Sequence, residues 1–276
     1  MTALPAHCNL CGHNRFRVIE RDESPFQVLK CQNCGLVFVH PHPKPDELKD
    51  HYCEKYYSEW INQQKNKRIR MWESRINRIN KLRPCGKLLD VGCGEGLFLR
   101  LAQDNGWQIS GTELSTYASK IASKTLATEI YCGQLHQACF ADSSFDVVTM
   151  WHVLEHVEDP KSYLSEIHRI LKPDGFLVLA VPNVNNLVMH LAYSAIRLRK
   201  LKLFSVNDKE VHLYHFSAKT LPAYFDKTGF DCLRLSPDYG VVEFPKKLIN
   251  WISVIPFYTA GFKIFNAIET LAIPRK

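Results

Sequence analysis

The chain has 276 residues, 46% of them hydrophobic, which is enough for one large α/β domain plus a small module and excludes a disordered protein. Its formal net charge of +7 indicates either an anionic partner or a solvated basic surface, without choosing among nucleic acid, phospholipid and a phosphorylated carrier. The N-terminus shows no signal-peptide pattern, and the apolar stretches 187–198 and 248–262 are short or interrupted by Asn250 and Pro256. We therefore expect a cytoplasmic protein without a membrane-spanning helix.

The first predicted element is a cysteine module. Two CxxC pairs are separated by nineteen residues: Cys8 and Cys11, then Cys31 and Cys34. Each CxxC pair lets two thiolates reach the same ion, and residues 15–20 and 26–30 between them are typical of short strands. The pattern predicts a zinc ribbon with a structural Zn²⁺, because four sulfur ligands leave no open position for catalysis. Alternatively, the ribbon also binds nucleic acid or another protein.

A stiff linker, PHPKP at 41–45, precedes a predicted amphipathic helix. Apolar residues recur at helical spacing from Ile61 to Leu82, and we expect them to face inward. The opposite face carries cations that we expect to face outward: Lys65, Lys67, Arg68, Arg70, Arg75, Arg78 and Lys81. This face is either solvated or contacts a phosphate-bearing partner.

From Lys87 onward, predicted strands and helices alternate. Strands are expected at 87–91, 107–112, 129–131, 145–150 and 176–181, and helices around 96–105, 117–124 and 161–171. This alternation predicts a Rossmann-like α/β domain, a parallel sheet wound with helices on both faces. In such sheets the ligand lies beyond the carboxyl ends of the strands, near the point where the strand order reverses. Site residues should therefore follow the strands directly.

The first of these strands ends in a glycine turn, LLDVGCGEG at 88–96. Its third glycine comes one residue too early for the dinucleotide pattern GxGxxG, and no Gly-Lys-Ser/Thr follows, which excludes a P-loop. Asp90 and Glu95 would repel a pyrophosphate, whereas two carboxylates suit a ligand that carries an ammonium and a sulfonium. The turn therefore predicts S-adenosylmethionine as its ligand.

Two later segments extend this predicted site. Glu113 ends the second strand of the domain, where one carboxylate can accept hydrogen bonds from both ribose hydroxyls. After the third strand, Gly133, Gln134 and Leu135 lie where an adenine would be flanked, with Gln134 as a candidate hydrogen-bond partner for its edge.

Together these motifs resemble the class I S-adenosylmethionine-dependent methyltransferase superfamily over about residues 85–235: LLDVGCGEG, TELS, FDVVTMWHVLEHVEDP and ILKPDGFLVLAVPN. The resemblance implies a doubly wound seven-stranded sheet with one antiparallel strand. It also implies methyl transfer by in-line displacement, in which the protein positions the nucleophile and excludes water. The family's cofactor positions map onto Asp90, Gly92, Gly94, Glu113, Trp151 and His152. Cys93, Leu114, Gln134 and Leu135 complete the predicted cofactor contacts.

The segment after the fourth strand bears on the acceptor. Its sequence, MWHVLEH, lacks the Asn/Asp-Pro-Pro-aromatic turn of exocyclic-amine methyltransferases, and no cysteine follows the strand for cytosine C5 chemistry. The remaining acceptors are a hydroxyl, a ring nitrogen or an activated carbon, and a hydroxyl requires a base such as histidine. His152 and His156 would share a face if this stretch begins a helix, with Glu155 orienting one of them or helping to bind a metal. Both histidines are candidates for the catalytic base, and His152 alternatively lines the cofactor pocket.

A second histidine cluster, HLYHFS, occupies 212–217. The same stretch occurs in a bacterial branch of the superfamily that carries an N-terminal CxxC ribbon and that we associate with polysaccharide, lipid or quinone-like acceptors. In that branch the loop closes over the acceptor. The resemblance therefore implies substrate contacts at His212 and Tyr214, and it makes His215 a further candidate for proton transfer.

The last thirty residues are aromatic and apolar, with lysines at the edges. They could form a cap over the acceptor site together with the last strand of the sheet, or an amphipathic segment that lies on a membrane. An exposed apolar surface would also favour a homodimer. We expect four regions: a zinc ribbon at 1–45, a linker and basic helix at 46–84, a methyltransferase domain at 85–240 and a C-terminal element at 241–276.

The leading hypothesis is a methyltransferase that uses S-adenosylmethionine to methylate a small-molecule acceptor, with O-methylation of a sugar, a lipid-linked or a quinone-type substrate. The alternative is an RNA methyltransferase whose ribbon recognises RNA; the basic helix supports it. The ribbon itself offers few cations, Arg15, Arg17, Arg21 and Lys30, and this counts against the RNA hypothesis. A third hypothesis, a non-catalytic scaffold that keeps the fold, is disfavoured by the intact Asp90, glycine turn and Glu113.

Overall fold

Two β-sheets organise the chain. The computed structural model describes residues 4–21, 25–43, 65–198, 202–205, 208, 210–240 and 246–275. The strands are β1 (Phe16–Arg21), β2 (Gln27–Cys31), β3 (Val37–His40), β4 (Lys87–Val91), β5 (Gln108–Glu113), β6 (Tyr131–Cys132), β7 (Phe145–Trp151), β8 (Leu171–Pro182), β9 (Tyr214–His215), β10 (Phe230–Pro237) and β11 (Ala267–Pro274). The helices are α1 (Lys65–Leu82), α2 (Leu97–Asp104), α3 (Thr116–Leu126), α4 (Pro160–Ile170), α5 (Leu187–Arg197), α6 (Thr220–Lys227) and α7 (Lys246–Ala260).

The larger sheet has seven strands in the order β10-β11-β8-β7-β4-β5-β6. Neighbours from β8 to β6 are parallel, whereas β11 runs antiparallel to both β8 and β10. The predicted Rossmann-like, doubly wound sheet with one antiparallel strand is therefore confirmed. Strand order reverses at β4, which lies between β5 and β7, so the expected binding edge lies at the carboxyl end of β4.

The central strands are buried on both faces, as covered parallel strands are. All seven residues of β7 are buried, and Leu88, Leu89 and Val91 of β4 are at most 2% exposed. One apolar cluster on the sheet includes Leu89 and Val91, and a second, on the other side, includes Leu88. Dense packing on both faces holds the carboxyl ends of the strands in fixed positions, and these ends carry the site.

Helix α1 differs from the prediction on its basic face. The inward side chains of Trp72, Ile76 and Ile79 are buried as expected, whereas Leu82 is 50% exposed and Ile61 lies outside the described residues. Two of the cations predicted to face outward are buried instead: Arg68 is 4% exposed and Arg75 is 2% exposed. Each meets a carboxylate from a distant part of the chain, and this makes its burial tolerable.

The smaller sheet is antiparallel, with the order β1-β2-β3-β9. Strands β1 and β2 lie close to the segments predicted between the two CxxC pairs. Neither β3 nor its pairing with β9 was predicted, and β9 belongs to the HLYHFS segment of the catalytic half. The cysteine module is therefore joined to the second histidine cluster by strand pairing.

Helix α7 contains Pro256 and packs against α5, and β11 follows it into the large sheet. Several apolar side chains of this region are exposed: Leu187, Leu191, Leu198, Trp251, Ile252, Ile255, Tyr258 and Phe262. Among the described residues, no helix combines the length and the apolar character that crossing a membrane requires. Membrane contact and homodimer formation both stay predictions.

Candidate functional site

The glycine turn between β4 and α2 is held against the end of β5. The backbone N–H groups of Gly92 and Cys93 both donate to Thr112 O, at 2.8 and 3.0 Å. Gly92 has φ +72°, and a Cβ at this position would lie 2.4 Å from Val153 Cγ2. Only glycine therefore allows the turn to close against the segment that follows β7.

Glu113 lies at the carboxyl end of β5, as predicted, and is 6% exposed. Its Oε2 accepts a hydrogen bond from Gly94 N, and its Oε1 accepts one from Ser115 N, both at 2.8 Å. A carboxylate offers about four acceptor positions in all. The adjacent Leu114 is 59% exposed. A carboxylate can accept hydrogen bonds from ribose hydroxyls, and an exposed apolar side chain beside it can pack against an adenine. The arrangement next to the glycine turn therefore fits an adenosine group.

Asp90 is buried at the end of β4, where its Oδ1 accepts a 2.7 Å hydrogen bond from Thr149 Oγ1. Burial raises the pKa of Asp90 to about 7, although the Thr149 hydrogen bond and the charge of Arg75 oppose the shift. Glu95, in the turn, forms a buried ion pair with Arg68. The sequence argument that two carboxylates face a cationic ligand is therefore wrong for Glu95, because α1 supplies its counter-charge.

The other predicted cofactor residues occupy different environments. Gln134 precedes the 3₁₀ turn 135–138, where its backbone N–H donates to Gln137 Oε1 at 3.0 Å. Leu135 and Cys93 are buried, at 1% and 8% exposure. Trp151 packs inside, with its ring centroid 5.9 Å from that of Trp72. Its burial places Trp151 in the core behind the site.

His152 lies in a turn with φ +55°, and α4 begins only at Pro160. The stretch from His152 to His156 therefore does not begin a helix, so the condition for a shared helix face of the two histidines is not met. The cause is local: Asp159 caps α4 by accepting a hydrogen bond from Ser162 N, and Pro160 occupies the first helical turn, where proline is favoured.

The ring of His152 lies between two buried carboxylates. Its Nε2 is 3.1 Å from Asp238 Oδ2, and its Nδ1 is 3.5 Å from Glu155 Oε1. Burial lowers the pKa of His152, but the Asp238 hydrogen bond and the Glu155 carboxylate outweigh it and raise the pKa to about 9. Asp238 in turn accepts from the Arg75 guanidinium at 2.8 and 2.9 Å. The sequence does not indicate that Arg75 and Asp238 form a pair, because the two residues lie 163 positions apart in the chain.

Three further histidines surround Glu155, whose side chain is 1% exposed. The rings of His156 and His212 are 4.9 Å apart, and those of His212 and His215 are 6.2 Å apart. Burial raises the pKa of Glu155, but the nearby histidines lower it below its ordinary value. Burial lowers the pKa of His212 and that of His215, the latter to about 3, so a neutral ring is favoured at His215.

A cavity of about 270 Å³ opens beyond the carboxyl end of β8, between α5 and the segment leading to β9. Of the predicted acceptor-site residues, His212, Tyr214 and His215 line it, while His152 and His156 do not. Tyr214 uses its hydroxyl to donate to Glu158 O at 3.1 Å. His215 Nε2 is buried and makes no hydrogen bond with any described residue.

The four cysteines of the N-terminal module cluster tightly. All four sulfurs lie within 4.8 Å of one another, with Cys8 and Cys34 3.7 Å apart and Cys11 and Cys31 3.6 Å apart. Sulfurs that hold a tetrahedral Zn²⁺ at about 2.3 Å are about 3.8 Å apart. The geometry of the cluster therefore fits a structural zinc.

Comparison with known proteins agrees with this geometry. Residues 64–235 match the methyltransferase domain family, and the chain belongs to that family. The chain is 35% identical over 106 residues to the ubiquinone biosynthesis O-methyltransferase of Thiobacillus denitrificans, covering 36% of this chain and 45% of that protein. It is 29% identical over 192 residues to the ubiquinone/menaquinone biosynthesis C-methyltransferase of Geotalea daltonii, covering 64% of this chain and 72% of that protein. The chain thus spans less than half the length of the O-methyltransferase relative.

Solved structures show the same fold. A chain in the complex of the Haloferax volcanii Trm112 methyltransferase activator with a methyltransferase superposes with a TM-score of 0.58 at 18% identity. The match covers 80% of this chain and 98% of that chain. Family membership implies S-adenosylmethionine as the methyl donor, whereas a fold alone does not identify an acceptor.

Proposed function

We propose that this protein is an S-adenosylmethionine-dependent O-methyltransferase that acts on a hydroxyl of a small-molecule acceptor, a sugar, a lipid-linked compound or a quinone-type ring. The observation that carries the proposal is the histidine-lined cavity at the same sheet edge as the glycine turn and Glu113. The similarity to ubiquinone biosynthesis O-methyltransferases supports it.

The donor is held at the ends of β4 and β5. S-adenosylmethionine, when bound, supplies an electrophilic methyl group. Glu113 would accept hydrogen bonds from the ribose hydroxyls, and the exposed Leu114 would cover the adenine. Because Glu113 also fixes Gly94 N, ribose recognition and the shape of the glycine turn depend on the same carboxylate.

The acceptor occupies the cavity beyond β8. The side-chain amide of Asn183 donates to Lys263 O and Phe265 O, at 3.1 and 2.9 Å, and so fixes one wall. Asp208 and Glu210 also line the cavity, together with Lys202. Among the described residues that line the cavity, two carboxylates accompany one lysine, and this balance disfavours a phosphate backbone and supports a small uncharged acceptor over RNA.

His215 is positioned to accept the proton of the acceptor hydroxyl. Of the histidines predicted as bases, it alone lines the cavity, and its Nε2 makes no hydrogen bond with a described residue. His152 instead bridges Asp238 and Glu155, and His156 is hydrogen-bonded to Val211 O. Neither of these two histidines lines the cavity, so neither is placed to take that proton directly.

We further propose that Cys8, Cys11, Cys31 and Cys34 hold a structural Zn²⁺, with the ribbon extending over residues 1–45. The sulfur separations of 3.6 and 3.7 Å support this proposal. The other regions are also proposed with the boundaries that the sequence patterns indicate: a linker and basic helix at 46–84, the methyltransferase domain at 85–240 and the C-terminal element at 241–276.

Calorimetry tests the donor site. S-adenosylmethionine should bind the wild type at micromolar concentration, and Glu113→Ala should weaken binding at least about thirtyfold, because hydrogen bonds to a charged group are lost. Glu129→Ala, which removes an exposed carboxylate outside the site, is the matched control and should bind like the wild type. Unchanged affinity in Glu113→Ala would contradict the assignment.

The acceptor is tested separately. Transfer of a radiolabelled methyl group is measured to hydroxylated sugars, to catechol- and quinol-type rings, and to ribosomal RNA fragments. We expect transfer to a hydroxyl compound and no RNA binding at physiological salt. Salt-resistant binding and methylation of RNA would instead establish the RNA methyltransferase alternative.

A further inference from the structure

Glu155 is a buried carboxylate that accepts no hydrogen bond from the part of the chain that the structure describes. Its side chain is 1% exposed, and neither Oε1 nor Oε2 makes a hydrogen bond with a described residue. His152 Nδ1 lies 3.5 Å from Glu155 Oε1, and the other ring nitrogen of His152 is hydrogen-bonded to Asp238. Both carboxylate oxygens therefore keep lone pairs that a further cation can use, beside the charge that His152 already supplies.

Two further histidines are directed at the same place. One ligand atom each from Glu155, His156 and His212 lies within 4.8 Å of the other two. Nitrogen and oxygen ligands about 2.1 Å from a Zn²⁺ are about 3.4 Å apart in a tetrahedral site. Small side-chain rotations would therefore bring these three groups into a coordination sphere.

The hydrogen bond of His156 fixes which nitrogen faces Glu155. Its Nδ1 is 2.8 Å from Val211 O, so Nδ1 carries the hydrogen and donates it to the carbonyl. In the neutral ring, Nε2 then presents a lone pair, and it lies 4.0 Å from Glu155 Oε1. A backbone carbonyl that orients the other ring nitrogen is the usual support of a metal-binding histidine.

The backbone holds His212 in place as well. Leu213 N and Tyr214 N both donate to the backbone carbonyl of Glu155, at 2.8 and 3.1 Å. These bonds join the segment before β9 to the turn after β7, and they set His212 beside the carboxylate. His212 also lines the cavity, so this site borders the space assigned to the acceptor.

We propose that Glu155, His156 and His212 form a binding site for a divalent first-row transition metal such as Zn²⁺. Two imidazoles and one carboxylate suit such ions and leave coordination positions open. The site follows from these side chains alone. One consequence rests on the proposed function: an acceptor hydroxyl in the cavity could occupy an open position, where the metal would make it more acidic.

Metal content of the full-length protein tests the site. After dialysis against micromolar Zn²⁺ and removal of loosely bound metal, elemental analysis should find two zinc ions per wild-type chain, one of them in the ribbon. His212→Asn and Glu155→Gln should each retain one. His190→Asn is the matched control, because His190 lines the same cavity outside the cluster, and it should retain two.

One zinc per wild-type chain would overturn the proposal, and so would two zinc ions in both His212→Asn and Glu155→Gln. His212 is only partly buried, so His212→Asn remains informative if Glu155→Gln fails to fold. Binding of S-adenosylmethionine is measured on the same samples. Loss of the second metal with intact donor binding therefore separates failure of this site from failure of the proposed function.

Discussion

The donor edge and the acceptor edge of this protein are built in different ways. The donor edge, the glycine turn with Glu113, comes from two adjacent strands and lies within residues 88–115. The acceptor edge brings together the turn 152–159, the segment 211–215, Asp238 and Arg75. Backbone hydrogen bonds between adjacent strand ends, with one buried ion pair from α1, shape the first, whereas the Arg75–Asp238 pair and the pairing of β3 with β9 shape the second. Damage to long-range contacts should therefore affect the acceptor edge first.

The largest expected effect is on the ribbon. In Cys31→Ser the ribbon should lose its zinc, and zinc binding supplies most of the folding free energy of such modules, about 10 kcal/mol or more. Because β3 pairs with β9, methyl transfer should fall more than about a hundredfold while S-adenosylmethionine affinity changes less than about threefold. Cys85→Ser, at an exposed cysteine outside the ribbon, should change neither quantity. Equal loss of donor affinity and transfer would show that the two edges are not separable.

The next effect concerns the Arg75–Asp238 pair, in which both side chains are at most 3% exposed. Arg75→Met removes the guanidinium from a buried carboxylate, so the free energy of unfolding should fall by about 3–5 kcal/mol, measured by urea denaturation. Arg100→Met removes an exposed pair with Asp104 and should cost less than about 1 kcal/mol. A comparable, small cost in both variants would contradict the structural role given to Arg75.

On the donor edge, Gly92→Ala should act through the backbone. The left-handed φ and the contact with Val153 together predict that the native conformation of the turn is destabilised by about 1–3 kcal/mol. Calorimetry should show this as at least about a tenfold loss of S-adenosylmethionine affinity. Gly106 also has a positive φ, +87°, but a Cβ there would meet open space. Gly106→Ala should therefore lower stability slightly and leave donor affinity unchanged. If both variants bind the donor equally well, the turn does not form the donor site.

The smallest effect is a pH dependence from Asp90. Its pKa is raised from 3.8 to about 7 in the folded protein, so the native state binds the proton more tightly than the unfolded chain does. Stability from this group is complete below the unfolded pKa and is lost as pH rises towards 7. Between pH 6 and 8 the free energy of unfolding of the wild type should fall by about 1 kcal/mol relative to that of Asp90→Asn. Asp104→Asn, at an exposed carboxylate, should show the same pH dependence of the free energy of unfolding as the wild type. If Asp90→Asn also shows the pH dependence of the wild type, the raised pKa assigned to Asp90 is refuted.

The contrast between local contacts at the donor edge and long-range contacts at the acceptor edge also explains which features the sequence predicts. The sheet, the glycine turn and the place of Glu113 follow from local patterns, because strand ends and turns depend on neighbouring residues. The helix predicted around 161–171 corresponds to α4, and the Asp159-Pro160 pair marks its start, so the stretch from His152 to His156 lies before the helix. Arg75 could not be distinguished from a solvated arginine, because its partner Asp238 comes from the other end of the domain. Short strands such as β3 and β9 carry too little pattern to reveal their pairing.

The pairing of β3 with β9 has an evolutionary consequence. Asn9 extends the connection by accepting from Tyr224 Oη and donating to Asp159, at 2.8 and 2.9 Å. The ribbon is continuous in sequence, but its edge strand β3 pairs with β9, whose Tyr214 and His215 line the cavity proposed for the acceptor. A recombination event that exchanged ribbons between relatives would therefore succeed only if residues 211–215 were inherited with the ribbon. Changes of acceptor preference in this lineage should accordingly arise on both segments together.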